Sequence, residues 1–263
     1  MSNILQAFFM AMVLPFVSDR LDFEDPDSMN QSTQQALVDL SSGERSVIFN
    51  SELLEKVSQK NVLILVHGFN NTYSSTLSSY KAYAKHLEKS YDLVIGYIWP
   101  GGDNRRDYFS ARNRVVSELD LRFLSFLTLM STVANNVDVY AHSMGCRLSL
   151  ESIALAPGKV VRNLFLTAPA VDDESLERGE RYHGSIVNCD KVVVFYSNND
   201  RVLRNVYPFA EWDHALGFDG FEDPNALPAN VSRIDSTTNV SFHSDYRNEE
   251  IIFDHIRGVL QNN

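Results

Sequence analysis

Val137-Asp138-Val139-Tyr140-Ala141-His142-Ser143-Met144-Gly145-Cys146-Arg147-Leu148 is the stretch from which the fold is read. Val137–Ala141 is a short run dominated by apolar residues and reads as a strand, and the spacing from Met144 to Leu155 reads as a helix. Ser143 sits between them in a small-x-Ser-x-Gly pattern, with Ala141 where the first glycine usually stands. Small residues are needed there because strand and helix backbones nearly touch across so tight a turn. Such a turn presents the serine at a helix N-terminus, where amides and the helix dipole favour developing negative charge. As bare letters the pattern recurs by chance; the strand before it and the helix after it give it meaning.

Outward from this point the chain alternates. Val62–Val66 is all apolar and rich in β-branched residues, as in a strand covered on both faces. Tyr73, Leu77, Tyr80, Ala84, Leu87 and Tyr91 recur at spacings of four and three, one stripe of a helix. Leu93–Trp99 reads as a strand stopped by Pro100-Gly101-Gly102, and a long helix is predicted from about Ser110 to Thr132. Asn163–Thr167, Lys191–Ser197 and Val231–Asp235 read as later strands, and about Asn248–Leu260 as the last helix. Asp19–Ser58 is polar and turn-rich and suggests a strand or two with loops. The alternation predicts an α/β fold, a mostly parallel sheet with helices on both faces. In such sheets chemistry gathers beyond the carboxyl ends of the strands.

Composition bounds the function. The 263 residues carry a net charge of −11 and no basic block, which argues against nucleic acid as a partner. At 44% hydrophobic and 22% charged the chain is of globular type, long enough to bury a core without disulfide or metal staples. Cys146 and Cys189 make no disulfide framework. No H-E-x-x-H, paired C-x-x-C, Walker loop or G-x-G-x-x-G occurs, so neither a metal nor a nucleotide cofactor is expected. Ile4–Val17 carries no charge, is too short to span a bilayer and has no preceding Lys or Arg. It reads as a buried N-terminal helix leading into a first strand near Val13–Ser18, which makes the protein cytoplasmic. A signal sequence or a membrane contact through residues 4–17 is the alternative. Residues 1–60 are taken as a helix and strand segment packed on the same domain as the core, 61–263, with no linker between them.

A second signature, Val66-His67-Gly68-Phe69-Asn70-Asn71, follows the strand Val62–Val66. With the serine turn it resembles the α/β-hydrolase fold family. The resemblance implies an oxyanion hole made by the backbone N–H groups of Phe69 and Met144, while His67 reads as a structural side chain holding the loop. More narrowly, Leu65–Asn71, Ile98–Pro100, Ala141–Leu148, Thr167–Asp172 and Ser197–Leu203 resemble a bacterial α/β-hydrolase family catalogued without assigned function. That likeness runs from about Asn61 to His243, implies a serine hydrolase and leaves the substrate open.

The fold demands the order serine, acid, histidine, with acid and histidine on loops after later strands. Asp200 lies three residues beyond the strand Lys191–Ser197. Asp190 precedes that strand and so sits about 20 Å away at the other edge of the sheet. Asp172 and Asp173 are the rivals, although Asp172-Asp173-Glu174 reads as a solvated helix-capping turn. Among the histidines, His183 and His214 violate the order and His86 lies in the first helix of the series. His142 is read as pointing away from Ser143, since strand neighbours face opposite sides, and His255 as a core or capping residue. His243 follows the last strand and precedes the last helix, where the base belongs.

The expected function is cleavage of a carboxylic ester through Ser143, His243 and Asp200 and an acyl-enzyme, with a small-molecule acyl substrate. Alternatives are a catalytically silent scaffold used for binding, or the same chemistry on a thioester or amide. Cavity walls are expected from Pro100–Arg114 and from the segment between Asp200 and Val231. These offer Tyr108, Phe109, Tyr207, Phe209, Trp212 and Phe218 for an acyl or aryl group, and Arg105, Arg106, Arg201 and Arg204 for an anion.

Overall fold

A computed structural model describes residues 12–261. Its centre is a nine-stranded sheet in the order β3-β2-β1-β5-β4-β6-β7-β8-β9. The strands are β1 (Val13–Arg20), β2 (Met29–Asp39), β3 (Arg45–Val47), β4 (Asn61–Val66), β5 (Leu93–Ile98), β6 (Asn136–His142), β7 (Val161–Thr167), β8 (Cys189–Tyr196) and β9 (Val231–Asp235). From β1 to β9 neighbours run parallel; only β2 against β1 and β3 against β2 are antiparallel. The expected strand at Val13–Ser18 is β1, while the helix expected before it falls mainly outside the described residues. Among the described residues no helix is long and apolar enough to cross a membrane.

The helices are α1 (Asn50–Val57), α2 (Tyr73–Leu87), α3 (Tyr108–Arg114), α4 (Asp120–Val133), α5 (Met144–Ala154), α6 (His183–Val187), α7 (Arg201–Glu211), α8 (Leu216–Asp219) and α9 (Glu250–Gln261). Side chains alternate along each strand, so the sheet has two cores. One holds Val62, Ile64 and Val66 of β4 with Phe123, Leu127 and Met130 of α4 and Leu148 of α5. The other holds Leu63 and Leu65 with Tyr80 and Leu87 of α2 and Phe253 and Ile256 of α9.

Two local readings are corrected, and one segment left unassigned is resolved. Asn50–Val57 is a helix rather than loop: Leu53 and Val57 are buried one turn apart, and the Glu52 carboxylate accepts the Phe49 N–H at 2.8 Å as an N-terminal cap. The long helix predicted from Ser110 begins at Tyr108 and passes through a π-helical turn at Val115–Leu119 before α4. That extra residue per turn keeps Ala111, Val115, Leu119 and Phe123 all facing the core. The segment after Asp200 is helical, as α7 and α8.

Candidate active site

The site lies at the carboxyl ends of the central strands. At Ser143, between β6 and α5, the backbone takes φ 56° and ψ −123°, a left-handed conformation outside the ordinary wells for a side-chain-bearing residue. Neighbouring glycines make the turn possible. A Cβ on Gly145 would lie 2.4 Å from the His67 carbonyl oxygen, and one on Gly68 would lie 2.9 Å from the Ser143 Cβ. Ser143 is 8% exposed at the base of a cavity of about 520 Å³.

Phe69 and Met144, the two residues whose amides the sequence places at an oxyanion, both line this cavity. Met144 opens α5, where its N–H has no acceptor within the helix. The loop carrying Phe69 is pinned on both sides. Asn70 and Asn71 donate their N–H groups to Gly101 O (3.2 Å) and Gly102 O (3.0 Å). His67 is buried and stacked on Trp99 at 5.4 Å; its Nδ1–H donates to Gly68 O (2.7 Å), while Nε2 accepts the Trp99 N–H (3.2 Å). Burial, reinforced by the Arg20 charge, lowers the His67 pKa to about 3, so the ring stays neutral. It is a structural brace.

Arg20 completes this loop and was missed in the sequence. It is fully buried at the end of β1, donating to the carbonyls of Trp99 (3.1 Å), Phe23 (3.2 Å) and Asn71 (2.7 Å). Desolvation lowers its pKa to about 10, so it remains a cation at neutral pH. The available signal was Ser18-Asp19-Arg20, polar residues at the carboxyl end of an apolar strand, the edge where chemistry collects.

Ser143, Asp200 and His243 come together from three separate segments. His243 Nε2 lies 3.0 Å from Ser143 Oγ, and His243 Nδ1 lies 2.6 Å from Asp200 Oδ2. An ionised carboxylate can only accept, so Nδ1 carries the hydrogen and Nε2 is left to accept from the serine hydroxyl. The other oxygen of Asp200 accepts the N–H groups of Val202 (3.1 Å) and Leu203 (3.0 Å), capping α7. Both carboxylate oxygens are therefore fixed, in a residue with no exposed surface. The loops carrying Asp200 and His243 are tied to each other: Ser197 Oγ–H donates to Val240 O (2.7 Å) and Asn199 Nδ2 to Thr237 O (2.8 Å). Asp245 holds the histidine loop by accepting the Phe242 N–H (2.8 Å).

The rival carboxylates face elsewhere. Asp172 accepts the Tyr207 hydroxyl (2.5 Å), whose oxygen in turn accepts from Arg147 Nη2 (3.1 Å), and Arg147 pairs with Glu211 at 3.3 Å. Burial and the adjoining Glu174 carboxylate push the Asp173 pKa up to about 7. The trio is thus partly buried within a polar network, not a solvated cap as the sequence suggested.

Two histidine readings change. His142 does not point away: its ring lies 4.7 Å from that of His243 and it lines the same cavity. Strand alternation fails at this residue because the turn at Ser143 rotates the chain. Burial, then the nearby His243 and Arg247, depress its pKa and keep it neutral, with Nδ1 3.2 Å from Thr167 Oγ1. His255 is exposed rather than part of the core. Of the expected wall residues, Tyr108, Tyr207, Arg105 and Arg201 line the cavity. Phe209 and Trp212 do not; they are 84% and 91% exposed.

The chain belongs to the family described as "Alpha/beta hydrolase of unknown function (DUF900)", whose profile matches residues 43–207. That match contains Phe69, Ser143, Met144 and Asp200 and ends before His243. No curated protein matches the chain significantly. Solved structures share the fold at low identity. A chain from the work on LipS and LipT, two metagenome-derived lipolytic enzymes, superposes with a TM-score of 0.52 at 11% identity, covering 79% of this chain and 96% of that one. Est1E from Butyrivibrio proteoclasticus with bound ferulic acid gives a TM-score of 0.47 at 11% identity, covering 78% and 89%. The peroxisomal α/β-hydrolase Lpx1 from Saccharomyces cerevisiae gives 0.47 at 9% identity, covering 96% and 89%.

Proposed function

We propose that this α/β hydrolase cleaves a carboxylic ester by nucleophilic catalysis, with Ser143 as nucleophile, His243 as base and Asp200 as orienting acid. The observation that carries the reading is the continuous relay of 2.6 Å and 3.0 Å from Asp200 through His243 to Ser143 Oγ. In the first step His243 Nε2 takes the serine proton as Oγ attacks the acyl carbonyl. Asp200 stabilises the imidazolium that forms and holds the ring in the tautomer the step requires. The negative charge on the carbonyl oxygen is received by the N–H groups of Phe69 and Met144, each worth about 10²–10³ in rate. The buried Arg20 cation behind the Phe69 loop adds a fixed positive potential on the same side.

The imidazolium then protonates the leaving alcohol, leaving an acyl group on Ser143. Water, activated by His243, releases the acid and restores the serine. The reaction requires no cofactor. Labelling of the purified protein with a fluorophosphonate probe tests the reading, beside Ser143→Ala and His243→Ala. Labelling of wild type alone, with turnover of short p-nitrophenyl esters, is the expected result. A folded wild-type protein that neither labels nor turns over esters would be a silent scaffold.

A further inference from the structure

The charges around the cavity run against the charge of the chain. The whole sequence carries −11, yet the cavity lining contains no Asp or Glu side chain. Its strongly basic groups are three guanidiniums: Arg105, Arg201 and Arg247. They come from three segments: the loop after β5, the first residue of α7, and the turn between His243 and α9. Among the described residues none of the three forms an ion pair, although Arg45, Arg112, Arg122, Arg147, Arg162, Arg181 and Arg257 each do. Arg20, Arg106, Arg114, Arg178, Arg204 and Arg233 likewise lack a carboxylate partner among the described residues, but they do not line the cavity, whereas Arg105, Arg201 and Arg247 converge on it.

Arg247 is the most informed of the three. It is half-buried, and its guanidinium donates to Ser79 Oγ on α2 at 3.1 Å. That single neutral partner leaves most of its five N–H donors free to meet a ligand. The remaining walls combine apolar and aromatic residues such as Met144, Ala170, Leu203 and Tyr207 with the neutral polar side chains of Asn70, Asn71 and Asn205. Such a cavity accepts an acyl chain, and a guanidinium fork at its wall matches the geometry of a carboxylate or phosphate.

We propose that the substrate is an ester bearing a second, anionic group, carboxylate or phosphate, which Arg247 receives while Arg105 and Arg201 attract it at the mouth. This rests on the serine-hydrolase reading above. It deepens that reading by giving the substrate a charge.

The test compares matched esters in one assay: p-nitrophenyl pentanoate, mono-p-nitrophenyl glutarate, and the analogue of the glutarate ending in a phosphonate. The quantity read is the ratio of kcat/KM for each charged ester over the neutral one. In wild type at least one charged ester is favoured about tenfold or more, and whichever wins identifies carboxylate or phosphate as the group recognised. Arg247→Gln brings that ratio close to one, and Arg247→Lys retains part of it. Arg178→Gln, at an exposed arginine off the cavity, leaves the ratio as in wild type. Should Arg247→Gln fail to fold, Arg201→Gln lowers the ratio by a smaller factor, and salt lowers it in wild type. A wild-type ratio at or below one for both charged esters overturns the proposal, as does a ratio unmoved by Arg247→Gln. Fluorophosphonate labelling of Ser143 separates that failure from failure of the hydrolase reading, since absence of both labelling and turnover overturns the two together.

Discussion

The two halves of the site are built differently. Phe69, Ser143 and Met144 sit at the ends of β4 and β6, adjacent strands in the middle of the sheet. Every residue of β6 between Val137 and Ala141 is buried, and the turn that follows carries its signature in the five contiguous residues Ala141–Gly145, where the His67 carbonyl of the adjoining β4 loop leaves room only for a glycine at 145. Asp200 and His243 hang from β8 and β9, at the edge, and β9 has no buried residue. Their positions depend on bonds between loops some forty residues apart, such as Ser197 to Val240. The central half is marked by short contiguous signatures, while the edge half is marked only by chain order. A catalytic unit requires both.

The comparison is sharpest at the proposed nucleophile and base. Ser143→Ala and His243→Ala should each lower kcat by about 10⁶, and the double variant should fall no further, because the groups act as one unit. Additive losses, measured as kcat on a p-nitrophenyl ester, would separate the halves. Next in size, Asp200→Asn should cost about 10⁴ by leaving His243 in the wrong tautomer. Asp172→Asn should cost less than about tenfold, since an amide oxygen still accepts the Tyr207 hydroxyl. A reversal of these two would move the acid off the β8 loop.

Gly145→Ala tests the central half through stability. A methyl group 2.4 Å from a backbone oxygen forces the elbow apart, and urea unfolding should show a loss of about 1–3 kcal/mol. An effect that appears only on acidification, and is absent at neutral pH, concerns His67, whose pKa is depressed in the folded state. The unfolded chain binds its proton below about pH 6.5 while the folded chain does so only near pH 3. Its contribution is therefore intact above pH 6.5 and is lost as pH falls towards 3, at up to about 1.4 kcal/mol per pH unit. His67→Gln should flatten that part of the stability–pH curve. An unchanged slope would remove His67 as the titrating group.

The same division explains what the sequence disclosed. The elbow and the His67-Gly68-Phe69 loop were legible because short-range sterics demand particular small residues at particular spacings. Asp200 and His243 were placed by chain order alone, which ranks candidates but gives no contact. His142 was misread because period-two alternation was carried one residue too far, into a turn with positive φ. Arg20 and Arg247 escaped because their partners, carbonyls of Trp99 and Asn71 and the hydroxyl of Ser79, are brought near only by the assembled sheet. α7 was hidden by Pro208 within it, although Asp200 at its N-cap was in view.

One consequence of the edge position concerns how such a protein dies on heating. Among the described residues β9 is hydrogen-bonded to β8 on one side only, and the loop bearing His243 is strung between β9 and α9. Local opening of this margin needs far less free energy than disrupting β4, β6 and their buried neighbours. Hydrolysis should therefore fade at temperatures where circular dichroism still reports an intact sheet. Amide exchange at Val231–Asp235 should run ahead of exchange at Val137–Ala141, so the working lifetime is set by a rim of the molecule and not by its melting point.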